Sequence, residues 1–165
     1  MPVFNRTYVA DQEVEGVIKE ALIAKFNLPL VAVTGKFSLL TDPEIEALLP
    51  ANLINHSRQG RLTEETMRQI AAKLPADMVI GAEITRFTSQ TYNNLQGDLL
   101  QKTYLEIRVT GYNDRDKKCY VRTAYRDYDG DWAVAGDADY LAREIMNDLL
   151  SKFNYGYGTL TVAGR

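Results

Sequence analysis

Apolar residues recur every three or four positions from Val14 to Phe26, as Val14, Val17, Ile18, Ala21, Leu22 and Phe26. Glu15, Lys19 and Glu20 fall between them. The spacing predicts a helix over 11–26 with one apolar stripe. Asp11 stands as its N-cap and Glu13 favours its dipole. A second helical stripe, Met67, Ile70, Ala71 and Leu74, follows Thr63 and ends before Pro75. Thr63 reads as the cap, with Glu64 and Glu65 in the first turn. A third stripe, Leu141, Ile145, Leu149 and Phe153 with Leu150 beside it, follows Asp137, which reads as its cap. Thr41 and Glu44 form a capping box around Pro43, predicting a short helix that covers Ile45, Leu48 and Leu49.

Elsewhere the period is two. Thr103, Leu105, Ile107 and Val109 alternate with Tyr104, Glu106, Arg108 and Thr110, which predicts a strand over 101–112 with one buried face. Lys118 to Tyr128 reads as its partner, with Val121, Thr123 and Tyr125 on one side and Asn113 to Lys117 as the turn. A further strand starts at Met78 with Gly81 inside it. Pro29 to Leu40 reads as extended, and Met1 to Phe4 as the end of a strand. Pro50 to Leu62 shows no clear period. The order of elements predicts an α+β fold, a mixed, partly antiparallel sheet with helices packed mainly on one face. One α+β domain is expected over 1–153, followed by a Gly/Tyr-rich tail over 154–165.

Composition sets bounds. The chain has 165 residues, 45% hydrophobic and 25% charged, enough apolar material for one domain without staples. Net charge is −3, which lacks the field expected of a nucleic-acid binder. A single cysteine, Cys119, excludes an internal disulfide. No apolar run reaches bilayer-spanning length. A chain starting at Met1 reads as cytoplasmic; one cut after a signal sequence reads as periplasmic, its membrane contact limited to an anchor upstream of Met1.

Candidate chemistry is sparse. His56, the one histidine, lies in a polar segment and reads as a surface group. Asp127, Asp129 and Asp131 around Gly130 resemble a calcium loop in composition, but glycine falls at the fourth position and Ala138 stands where a bidentate glutamate belongs. A tight Asp-Gly turn is the simpler reading, and no metal or cofactor is expected. Glu83 interrupts an apolar strand. It reads as an acid on the less buried face, beside Val79, Gly81, Thr85 and Phe87, paired across the sheet with Arg108 or Arg122. Cys119 reads as structural rather than nucleophilic. Gly156, Gly158 and Gly164 lack the lysine-serine pair of a phosphate loop. Aromatics crowd the second half of the chain. Tyr104 and Tyr112 on one strand, Tyr120 and Tyr128 on its partner, and Trp132 beyond them are the candidate partner-binding residues, since tyrosine combines area with a hydroxyl.

Two stretches carry a resemblance. Pro2, Phe4, Asn5 and Thr7 follow the opening "valine-x-proline-phe-x-asparagine-x-threonine" of a group of bacterial envelope domains, with Phe4 one place late. Ala76-Asp77-Met78-Val79-Ile80-Gly81-Ala82-Glu83-Ile84 is similar to that group's helix-to-strand junction, with the glycine one place early. The group includes the curli-secretion lipoprotein CsgG, the N-terminal domain of TolB, the penicillin-binding-protein activator LpoB and, more distantly, the lipopolysaccharide-assembly lipoprotein LptE. The resemblance implies a non-catalytic envelope protein, an adaptor or assembly factor that binds another envelope component or itself. Two alternatives stand beside it. One is a cytoplasmic enzyme or small-molecule binder using Glu83, His56 or the 127–139 aspartates. The other is a lipid-binding assembly factor.

Overall fold

Among the described residues, four strands form one sheet in the order β1-β2-β3-β4. They are β1 (Val3–Asn5), β2 (Met78–Asn93), β3 (Leu99–Asn113) and β4 (Lys118–Asp131). The computed structural model describes residues 3–5, 12–26, 40, 42–50 and 61–152. The expected strand over 29–40, the caps Asp11 and Thr41, His56, Phe153 and the 154–165 tail lie outside the described residues, Leu40 alone excepted. β1 runs parallel to β2, and β2, β3 and β4 are antiparallel in succession, so the sheet is mixed as the sequence predicts.

Helices α1 (Gln12–Phe26) and α4 (Ala138–Ser151) lie on one face of the sheet. Their stripes Val14, Val17, Ile18 and Leu22, and Leu141, Ile145, Met146 and Leu149, share a core with Ile80, Ala82, Ile84, Phe87, Leu105, Ile107 and Val109. The shorter helices α2 (Asp42–Leu48) and α3 (Glu64–Ala71) serve a smaller core on the other face. There Leu49, Leu62, Met67, Ile70 and Ala71 pack on Val79 and Tyr112, with Ile45 against them. This smaller core covers one end of the second face, around the start of β2 and the end of β3. Thr63 caps α3 as its sequence predicts: its Oγ1 accepts the Thr66 N–H at 3.2 Å. Asp137 occupies the N-cap position of α4 but makes no side-chain cap bond; its carboxylate accepts instead from Gln101 Nε2 at 3.3 Å.

Two turns set the register. Between β3 and β4, the Asn113 side chain accepts the Arg115 N–H at 3.0 Å and the Asp116 side chain accepts the Lys118 N–H at 3.2 Å. Lys117 takes the left-handed conformation, φ 54°. Asn113 is thereby opposite Lys118, and every later pair follows. Between β2 and β3, Asn94 Oδ1 accepts the N–H groups of Gln96 (2.8 Å) and Asp98 (2.9 Å), and Gly97 sits at φ 90°. β4 continues as a strand through Asp131, so Asp127 to Asp131 is not the tight turn that Asp-Gly chemistry predicts.

One irregularity matters for the site. The pairing of β2 with β3 shifts between Ile84 and Arg86, which leaves Thr85 as an extra residue. A bulge of this kind turns every later side chain to the opposite face. Ile80, Ala82, Ile84 and then Phe87 all enter the main core. Strict alternation places Phe87 beside Glu83; the bulge moves it under the helices.

Candidate functional site

The open part of the second face is the surface to be understood. Beyond the small core, it carries the even-numbered residues of β2 after the bulge, the even-numbered residues of β3 and the odd-numbered residues of β4. Tyr104 lies at its centre, opposite Asp127 and diagonal to Tyr125. The rings of Tyr104 and Tyr125 stack with centroids 5.8 Å apart and an interplanar angle of 19°. Arg86, from β2, lies over the Tyr104 ring, its guanidinium carbon 5.6 Å from the centroid. A cation and two tyrosines thus form a row across β2, β3 and β4. Stacked aromatic pairs and exposed cation–π contacts are each worth about 0.5–1.5 kcal/mol.

The bulge holds this row in place. Thr85 Oγ1 donates to Glu106 Oε1 at 2.5 Å, and Tyr104 donates its hydroxyl to Glu106 Oε2 at 3.2 Å. One carboxylate fixes both the bulge residue and the central ring. Burial, followed by the charge of Glu106, pushes the Tyr104 hydroxyl above its ordinary range, so it stays a donor at neutral pH. Tyr125 is 56% exposed and Val121, on the same face of β4, is 52% exposed. The flank is polar, with Lys102 paired to Asp129 at 2.8 Å.

The structure rearranges the expected aromatic site. Tyr104 lies on the open face as predicted, and Trp132 is exposed. Tyr112 is 1% exposed, because α3 covers the end of the face on which it sits. Tyr120 and Tyr128 point to the opposite face, where they flank the main core. The physical reason is register. Asn113 opposite Lys118 puts Tyr120 against Gly111 and Tyr128 against Thr103, both on the helix-covered side. Tyr128 also donates its hydroxyl to the Asp131 carbonyl and packs on Gly136 so closely that a Cβ there would lie 2.5 Å from its ring. Val121, Thr123 and Tyr125 are the outward set, and Tyr125 is the residue that sequence reasoning missed. The signal was available: once the turn is bounded by Asn113 and Lys118, the parity of every pair in the hairpin is fixed.

The other candidates scatter. Glu83 is fully buried, not on a partly wet surface. Leu62 lies on neighbouring Gly81, and its N–H donates to Glu83 Oε1 at 3.2 Å. The predicted cross-strand pair with Arg108 is present, Nη1 to Oε2 at 3.8 Å. Arg122 instead lies opposite Val109, on the other face. Asp127, Asp129 and Asp131 share the second face but are spaced two residues apart along an extended strand, about 7 Å per step. No group of three or more His, Cys, Asp or Glu side chains able to hold a metal occurs among the described residues. Cys119 is half-buried in the small core, and burial, with a smaller contribution from Glu64, pushes its thiol up, away from the reactive thiolate.

The fold and this surface define the class: an α+β domain with a mixed four-stranded sheet and one partly open face. No family model and no curated protein matches the sequence. Among solved structures, the chain is similar to the hypothetical protein CT253 from Chlamydia trachomatis, at 15% identity and a TM-score of 0.46, over 92% of this chain and 91% of that one. It is similar to lipoprotein GNA1162 from Neisseria meningitidis at 14% identity and 0.45, over 92% of this chain and 95% of that one. A minor lipoprotein from Acinetobacter baumannii gives 13% identity and 0.30, over 90% and 82%. Likeness at these identities concerns the course of the backbone. Among the described residues no helix is long and apolar enough to cross a membrane.

Proposed function

We propose that this protein is a non-catalytic binding domain of the bacterial envelope whose docking surface is the open half-face around Tyr104 and Tyr125. The observation that carries the reading is the stacked tyrosine pair. Two large rings are pre-ordered by Glu106 and Arg86, and the outer one is more than half exposed on the face of β4 that also carries Val121. Rigid aromatic area lost from water at low entropic cost is what protein hot spots are made of. The envelope location rests on the resemblance of 1–7 and 76–84 to envelope domains. Another envelope protein or a second copy of this chain suits the surface, because aromatic and apolar groups sit inside a rim of both charge signs.

A photo-crosslinking residue in place of Val121 tests this in intact cells. Capture of one envelope protein or of a second copy is expected, and Tyr125→Ser in the same chain should abolish it while lowering the thermal midpoint only by the few degrees that one lost stacking contact costs. Capture that persists unchanged in Tyr125→Ser, or the absence of any specific product, rules the surface out. The enzyme reading has less support, because Glu83 is sealed beneath Leu62 and the aspartates do not converge.

A further inference from the structure

We infer that the tip of the β2–β3 hairpin, with the segment after β4, contacts the interface of a lipid bilayer with neutral headgroups. Leu95 at the turn is fully exposed. Tyr92 and Leu99 flank it on the two strands, and both are exposed. The Trp132 N–H donates to the Leu99 carbonyl at 3.0 Å, which brings exposed Trp132 and Val134 to the same end of the sheet. Five large apolar side chains are thus exposed at one end of the sheet, on both of its faces. A hairpin tip exposed on both faces suits a soft phase into which it can dip. Leucine at the centre with Trp and Tyr beside it is the arrangement favoured at the boundary between headgroups and acyl chains.

Backbone chemistry agrees with a place poor in water. The turn satisfies most of its own donors: the N–H groups of Gln96 and Asp98 go to Asn94 Oδ1, that of Gly97 to the Asn94 carbonyl, and that of Asn94 to the Asp98 carbonyl. A loop approaching the acyl chains gains from this, because hydrocarbon supplies no partners. Charge selects the headgroup. Residues 87–101 and 127–138 contain no lysine or arginine but include Asp98, Asp127, Asp129, Asp131 and Asp137, of which Asp129 is paired with the adjoining Lys102. An anionic leaflet would repel this end, so the partner is a zwitterionic surface.

Trp132, the one tryptophan of the chain, reports directly on the tip. Adding phosphatidylcholine vesicles to the purified protein should shift its emission to the blue, and the protein should sediment with them. Leu95→Asp should lower the partition coefficient by about tenfold or more, the cost of losing one buried leucine. Circular dichroism checks that this variant keeps its fold. A second variant, Trp132→Phe with Leu95→Trp, moves the reporter to the apex and should shift at least as far. Phosphatidylglycerol in the vesicles should weaken binding, whereas Tyr125→Ser should leave it unchanged. That last result separates this inference from the docking surface proposed above. No emission shift at millimolar lipid overturns it. So does binding confined to anionic vesicles, equal binding by Leu95→Asp, or a shift produced by a protein partner and by no vesicle.

Discussion

Glu83 shows what a single side chain does in this fold. It is wholly buried, yet it links three segments: its own strand, Arg108 on β3 and the Leu62 N–H ahead of α3. A buried charge of this kind is held by its partners, and removing it strands them. Glu83→Ala should destabilise the protein by about 3 kcal/mol, while Glu83→Gln, which retains an acceptor for Leu62, should cost less. Urea unfolding of the two variants checks this; equal losses would show that the Leu62 bond contributes nothing. Cys119 gives a second expectation. Burial raises its thiol, so the folded state disfavours the thiolate. Its contribution is therefore unchanged below the unfolded-state pKa and becomes destabilising as pH rises above it. Alkylation by iodoacetamide should be slower in the native chain than in urea at every pH up to the raised value. Equal rates would place the thiol in water.

Among the elements, the β2 bulge does most to shape the surface. Thr85 lets a run of apolar residues, Ile84 then Phe87 three positions on, feed one core. It also delivers Arg86 to the open face, over Tyr104. Deleting Thr85 removes the extra residue and lets β2 pair regularly, with Arg86 still outward opposite Glu106 and Phe87 still inward opposite Leu105. The variant should keep its fold and lose only the Thr85–Glu106 hydrogen bond, about 1 kcal/mol, in urea unfolding. A deletion variant that fails to fold would show that the bulge itself, and not only the parity it sets, is required. The bulge was not read from the sequence, where strict alternation sets Phe87 on the face of Glu83. The stripes of α1, α3 and α4 were plain for a simpler reason: a helix that covers a sheet must keep one face apolar throughout.

For the molecule as a whole, the strand order decides where stability lies. β3 is central, paired along nearly its whole length with both β2 and β4, and buried on alternate residues from Gln101 to Val109. The β2 end beyond Phe87 is exposed residue after residue. Amide exchange should therefore be slowest at Leu105, Ile107 and Val109 and much faster from Thr88 to Leu100, apart from donors held by Asn94. Protection at the hairpin tip equal to that of central β3 would contradict this order.

Sequence by itself determined the class of fold, the three main helices and the antiparallel hairpin, and narrowed the partner of Glu83 to Arg108 or Arg122, because periodicity and cross-strand charge are local signals. It did not decide which tyrosines face out. That choice depended on one turn setting the parity of β4, on α3 settling over Tyr112, and on a bulge turning β2 by one residue. Each is a relation between segments far apart in the chain. Alternation says that two faces exist, and only the packing of helices against them says which one remains open.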